Sequence, residues 1–271
     1  PDLAIARPSP EESRRFCVAF DARLAGHTSH LRAHTPGAAE LVADAVREVL
    51  GLSPETLPDD AAIALALDPA RNTLLGESLN LTTHHKISRA LHHVSFTFAK
   101  KLSHAADSQD QRHRMTPASR PWLGAHVHGE PDFVTPALIA SDEAVKQLYE
   151  DSMARTWEAI NRLRKLGATE ETLLYLLPNA VSVRFTESSD LLNLRHKHQM
   201  RLCYNAQEEI WNASVDEARQ IRAAVPELGR FLLPPCGVRT LARKKPICPE
   251  GPRYCGVRVW KLDIADYERL I

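Results

Sequence analysis

Arg112-His113-Arg114 is the densest concentration of potential chemistry in this chain. In an extended stretch, two arginines two positions apart project to one side and the histidine between them to the other. Two guanidinium forks on one side suit phosphates or ring carbonyls, because each is a rigid, permanently charged set of donors. Three residues alone carry little weight, since a basic triplet is most often a solvated turn. A second segment, from Leu177-Pro178 to Ala206-Gln207-Glu208-Glu209-Ile210, adds Arg184-Phe185, Leu194 and Arg201. On a helix predicted over about 189–202, Asp190 and Arg201 are eleven residues apart. They therefore lie about 20° apart around the axis, on one face. Asn193 and Lys197 fall near the same stripe. Beside Leu191, Leu194 and Leu202, such a stripe reads first as the wet face of an amphipathic helix.

The elements that must position these residues are partly legible. Val94, Phe96 and Phe98 alternate with His93, Ser95 and Thr97, which predicts a half-buried strand over 92–99. Residues 100–111 read as a polar helix delivering the triplet. A long helix is predicted over 141–166, with Ser141-Asp142-Glu143 at its positive end and Gly167 at its exit. Val181, Val183 and Phe185 alternate with Ser182, Arg184 and Thr186, a second half-buried strand. Ser188 or Ser189 is placed to cap the 189–202 helix, and another helix runs over 205–224, stopping before Pro226. Residues 256–262 read as a final strand. Helical patterns over 11–25, 37–51 and 59–67 make 1–80 a helical N-terminal extension packed on a main domain of 81–271. The fold class is α+β, with a central mixed or antiparallel sheet flanked by long helices.

With 34 basic and 34 acidic side chains among 271 residues, the chain has no global field to draw it onto nucleic acid or an anionic membrane. No apolar run reaches the roughly 20 residues a spanning helix needs. Neither does the start show the charged-then-apolar order of a secretory signal. Five cysteines, an odd number in a chain of this size, point to a reducing cytoplasm. Cys236, Cys248 and Cys255 are separated by eleven and six residues and form no close Cys-x-x-Cys pair. Cys203 or Cys17 joins them only if the fold brings it near, so no metal is assigned. The pairs His84-His85, His92-His93 and His126-x-His128 lack an accompanying metal-ligand spacing. Dinucleotide-binding, P-loop and nucleophile-elbow glycine motifs are absent.

Taken together, the Phe96-Thr97-Phe98 run, the Arg-His-Arg triplet thirteen residues beyond it and the 177–210 segment resemble the flavin-dependent thymidylate synthases. The resemblance covers about 84–235. It implies FAD as cofactor, with NADPH and methylenetetrahydrofolate as co-substrates, and methylation of carbon 5 of a uracil nucleotide without a cysteine nucleophile. It also implies a homotetramer whose flavin sites are shared between subunits. Carried over by register, Arg201 is the catalytic residue and holds the uracil ring. Asp110, Arg112, Ser119 and Arg120 join it at the substrate. Arg112, His113, Arg114, Met115, Asp190, His196 and Asn205 fall at the flavin. The sequence departs from the family after the triplet, where Met115-Thr116-Pro117-Ala118 lacks the expected serine, asparagine and glutamate. Leu174 stands where a phosphate-binding arginine is expected. Asp190 and His196 replace asparagines, and Asn205 a histidine. These departures open the substrate to UMP as well as dUMP, as in relatives from nucleoside-antibiotic pathways. The alternative is a flavin- or nucleotide-binding homologue without methylase activity.

Overall fold

The computed structural model describes residues 7–77 and 83–269. Parts of the expected N-terminal extension, 1–6 and 78–80, lie outside the described residues. In chain order the elements are α1 (Pro10–Leu24), β1 (Ser29–His34), α2 (Ala38–Leu50), α3 (Asp59–Leu67), β2 (Ser95–Ser103), α4 (His104–Asp110) and β3 (Ala118–Ser119). There follow α5 (Ala137–Ala140), α6 (Glu143–Lys165), α7 (Glu170–Leu174), β4 (Ser182–Asp190), α8 (Leu191–Arg201), α9 (Glu208–Ala224), α10 (Pro226–Gly229) and α11 (Pro235–Leu241). The four strands form one antiparallel sheet in the order β1-β2-β4-β3.

Local chemistry sets most helix ends. Ser9 caps α1 and Pro10 opens it, while Asp142 accepts the first amides of α6. Gly51 and Gly167 leave α2 and α6 with φ of +66° and +86°, conformations that side chains with a Cβ resist. The cap of α8 is Asp190, whose Oδ1 accepts from the Asn193 amide at 2.9 Å. Ser188 and Ser189, the expected caps, belong to β4 instead.

Several expected elements differ. The N-terminal stretch is not wholly helical, because Ser29–His34 pairs with β2 as an edge strand. Its Ser-His-Leu-Arg-Ala-His composition carries no apolar alternation to betray it. The 92–99 strand begins later and runs to Ser103, with a 3₁₀ turn over Ile87–His93 before it. Residues 256–262 form no strand; a 3₁₀ turn at Val259–Lys261 lets Val259 enter the core. That core gathers Val42 and Val46 of α2, Ile63 and Leu67 of α3, Phe96 and Phe98, Leu191 and Leu194, and Trp211 of α9.

Neither face of β4 is wet at its centre. Its second face is covered by α1, whose Asp21 takes Arg184 through two hydrogen bonds of 2.7 Å. Asp132 accepts a third at 2.6 Å. On the other face, the pleat places Lys100 in line with Phe96 and Phe98, and Glu187 in line with Val183 and Phe185. Both charged side chains are 1% exposed.

They belong to a buried ionic cage. Lys100 Nζ reaches Asp110 at 3.0 Å and Glu217 at 2.8 Å, with Glu187 at 3.5 Å. Lys197 Nζ reaches Asp110 at 2.8 Å and bonds Glu187. His198 Nε2 donates to Glu217 at 2.9 Å, and Ser29 Oγ donates to the same carboxylate. At Lys197 the polar stripe of α8 is therefore the inside of the protein, not its wet face, and His198 is buried on the leucine side. Burial pushes the carboxyls up, but at Asp110 and Glu217 the two lysines outweigh it and hold both below the usual carboxylate range. At Glu187 burial prevails over the lysines, with Asp110 and Glu217 adding to it, and the carboxyl is pushed up to about 7.

Two outcomes follow from the cage. Lys197→Met leaves three carboxylates around one buried lysine and should cost about 3–5 kcal/mol in urea unfolding; a loss below 1 kcal/mol would mean the cage is not dry. Between pH 4.5 and about 7, folded Glu187 keeps a proton that the unfolded chain releases. Its contribution is thus present at low pH and lost as pH rises through that window. Relative to Glu187→Gln, the wild-type urea midpoint should fall over that range.

Candidate active site

Helix α4 ends at Asp110 and the chain turns at once. The His113 amide donates to the Asp110 carbonyl at 3.1 Å, and the Thr116 amide returns to the His113 carbonyl at 3.0 Å. The triplet thus lies on a latched turn rather than a strand. Arg112, Arg114 and Met115 face solvent, while His113 is half-buried.

Arg201, the last residue of α8, meets this turn. Its Nε donates to His113 Nε2 at 2.9 Å and its Nη2 to the Gln109 carbonyl at 3.2 Å. A guanidinium nitrogen can only donate, so Nε2 is the bare nitrogen of the ring and Nδ1 carries the proton. Burial first, then the charges of Arg201 and Lys197, push His113 down to about 4. The imidazole is therefore neutral at pH 7. His196, five residues before Arg201 on α8, meets His113 edge-on with ring centroids 6.1 Å apart. Two distant segments are in this way joined at one patch of the surface.

The other expected site residues are placed differently. Asp110, expected at the substrate, is 1% exposed inside the cage, so its carboxylate anchors the turn from beneath. Asp190 shares a face of α8 with Arg201 but stands at the opposite end, roughly 16 Å along the axis. There it caps the helix and meets His92 at 3.1 Å. Arg120 donates to Asp107 at 2.7 Å and lies over the Phe185 ring at 4.3 Å. Ser119 is exposed on β3, paired with Thr186. Asn205 donates to the Arg253 carbonyl in the C-terminal segment.

Two of the grooves among the described residues lie away from this patch. One of about 450 Å³ is lined by Lys101, Phe133, Asn179 and Glu209. Another of about 620 Å³ is lined by Phe16, Arg120 and Trp122. None of Arg112, His113, Arg114, Asp190 and Arg201 lines either groove. Among the described residues, Cys17, His128 and Asp132 are the one trio of possible metal ligands within 4.8 Å of one another. Asp132 is already bound by Arg184, and Asp132, then Cys17, push His128 up to about 9, so protons and a guanidinium fill that place.

Sequence reasoning passed over Lys100, Glu187 and Glu217, and read Lys197 only as part of a polar stripe. The signal was present at Lys100, a charge at the i+2 and i+4 positions of an apolar strand face. Because the charge of Arg201 helps hold His113 neutral, Arg201→Gln should raise the His113 pKa from about 4 toward 6.5. An NMR titration of the imidazole reads this directly, and an unmoved value would mean the two side chains do not touch in solution.

Residues 30–227 match the family model described as thymidylate synthase complementing protein, Thy1. A flavin-dependent thymidylate synthase of Geobacter sulfurreducens is 29% identical over 170 residues, spanning 61% of this chain and 70% of that protein. The same-named protein of Nitratidesulfovibrio vulgaris is 30% identical over 183 residues, or 62% and 71% of the two chains. That of Pyrococcus abyssi is 30% identical over 125 residues, and the matched part is 51% of its length. The matched region holds the sheet, the cage and the His113–Arg201 contact. This chain belongs to the Thy1 family, the family of the flavin-dependent thymidylate synthases.

Proposed function

We propose that this protein is a flavin-dependent methyltransferase acting on carbon 5 of a uracil nucleotide. The observation that carries this reading is the contact between His113 and Arg201, which joins the two segments of the family signature at one neutral imidazole and one guanidinium. A donor set of this kind fits a flavin and a nucleotide. The His113 tautomer offers Nδ1–H, and the exposed Arg112 and Arg114 offer charged forks to phosphate. FAD, when bound, supplies hydride transfer between NADPH and the carbon delivered by methylenetetrahydrofolate.

The chain's own residues bind and polarise. Arg201, fixed through Nε and Nη2, keeps Nη1 outside both bonds and presents it to a uracil carbonyl. Charge that gathers on that oxygen as the ring is activated meets a preoriented donor, which is the usual source of rate enhancement at such sites. His113, neutral and anchored by Arg201, holds one polar edge of the flavin. His196 and Met115 border it, and Arg112 and Arg114 hold phosphate. Asp190 and Asn205 mark the far ends of the cofactor-binding surface. Ser119 and Arg120 edge the substrate side.

Arg112, His113, Arg114 and Arg201 line neither of the two grooves described above, which supports a site completed by neighbouring subunits of a homotetramer. UMP is accepted beside dUMP in this reading, because the phosphate-side residues of the family signature are replaced. The cytoplasm, where NADPH and folate are available, is the compartment that suits this chemistry; no described helix is long and apolar enough to cross a membrane.

Two experiments test the reading. In a single-turnover assay with FAD, NADPH and methylenetetrahydrofolate, UMP and dUMP should each gain one methylene unit in mass. Product from dUMP alone would refute the relaxed sugar recognition, and bound flavin with no product would favour a non-catalytic binding homologue. Arg201→Ala should slow methyl transfer by about 10²–10³-fold, the usual cost of losing one preoriented donor, with flavin content retained. Unchanged turnover would remove Arg201 from the chemistry.

A further inference from the structure

Four of the five cysteines converge. Cys203 follows α8, Cys236 lies in α11, and Cys248 and Cys255 come from the C-terminal segment, yet all four line one pocket beside Tyr204 and Pro234. All are free thiols and each is partly buried. The fifth, Cys17, lies elsewhere, against His128 and Asp132. We infer that these four cysteines form the binding site of an iron–sulfur cluster of the [4Fe–4S] type.

The spacing of the thiols selects the ligand class. A zinc ion with Zn–S bonds of about 2.3 Å draws four sulfurs to within roughly 3.8 Å of one another. Among the described residues no three of these four cysteines have sulfurs within 4.8 Å of one another, so they stand wider than a single ion requires. A cubane cluster wants this wider arrangement, because each thiolate binds a different iron at a separate corner.

The surrounding chain also needs such a centre. From Arg243 to Arg269 the described backbone holds only three short 3₁₀ turns. So long an irregular stretch in a compact domain calls for a function or a staple. It is nevertheless well placed, ending with Val259, Ile264 and Tyr267 in the main core. Cys236, Cys248 and Cys255 all lie beyond residue 227, where the family match ends, whereas Cys203 lies within it. The cluster would therefore clip the segment beyond the family match onto the loop that follows Arg201. The inference concerns binding alone and does not depend on the methyltransferase reading.

The test uses the full-length chain, isolated without oxygen and reconstituted with ferric iron, sulfide and a thiol that supplies the two electrons per cluster needed to reach the [4Fe–4S]2+ state. Iron and acid-labile sulfide should each approach four per chain, with a Mössbauer spectrum of a cubane cluster; neither readout is confused by flavin. Cys236→Ser and Cys248→Ser should each lower iron content at least several-fold, whereas Cys17→Ser should retain it. Far-UV circular dichroism checks that the variants fold, and the wild-type spectrum stands by itself if they do not. One zinc per chain without sulfide would overturn the inference. So would metal-free protein with four titratable thiols, or with these cysteines paired as disulfides.

Discussion

The arrangement of this protein depends on the cage in which Lys100 and Lys197 are enclosed by Asp110, Glu187 and Glu217. Its members come from β2, α4, β4, α8 and α9, and Ser29 of β1 joins at Glu217. Burying five ionisable groups is expensive, and an apolar core of equal volume would generally be as stable or more so. What ions add is direction. Apolar contacts tolerate a slipped strand or a rotated helix, but a misplaced carboxylate here strands a charge without water. The cage therefore fixes the relative position of the elements that carry the candidate site. Asp110 holds the end of α4 three residues before His113, and Lys197 holds α8 four residues before Arg201. The 2.9 Å contact between His113 and Arg201 is the surface expression of that buried constraint.

Legibility in the sequence follows from where the information lies. Helices α2, α6 and α9 were visible because their ends are chemically marked, by Gly51, Asp142, Gly167 and Pro226, whereas α1 and α3 were read from their helical patterns alone. The faces of β2 were visible because Phe96 and Phe98 alternate with polar residues. Strand β1 was not, since an edge strand held through its backbone and by Ser29 needs no apolar pattern. The tail misled because Val257, Val259 and Trp260 have strand-like composition but make a turn against the core. The stripe on α8 misled for a subtler reason. Amphipathicity says which side is polar, and only the tertiary partners Asp110, Glu187 and Glu217 make that side dry.

The candidate site shows the same division. Its two halves were individually readable, Arg112-His113-Arg114 from composition and Arg201 from the longer register. Their meeting across 88 residues of sequence was not. Asp110 was readable as part of the motif, but its role is internal. The four-cysteine pocket was legible only as a conditional grouping of Cys236, Cys248 and Cys255 with Cys203 or Cys17, because the thiols lack paired spacing and Cys203 sits in a different segment; only the fold selects Cys203. This pocket begins two residues after Arg201, so it shares a loop with the candidate site.

The account is tested most directly by an experimental structure of the full-length chain with FAD and a uracil nucleotide bound. The account predicts a uracil carbonyl on the Arg201 guanidinium, the flavin beside His113 and a neighbouring subunit closing the site. A nucleotide seated instead in the groove between Lys101 and Asn179, with Arg201 left on its own chain's carbonyl and imidazole, would contradict it.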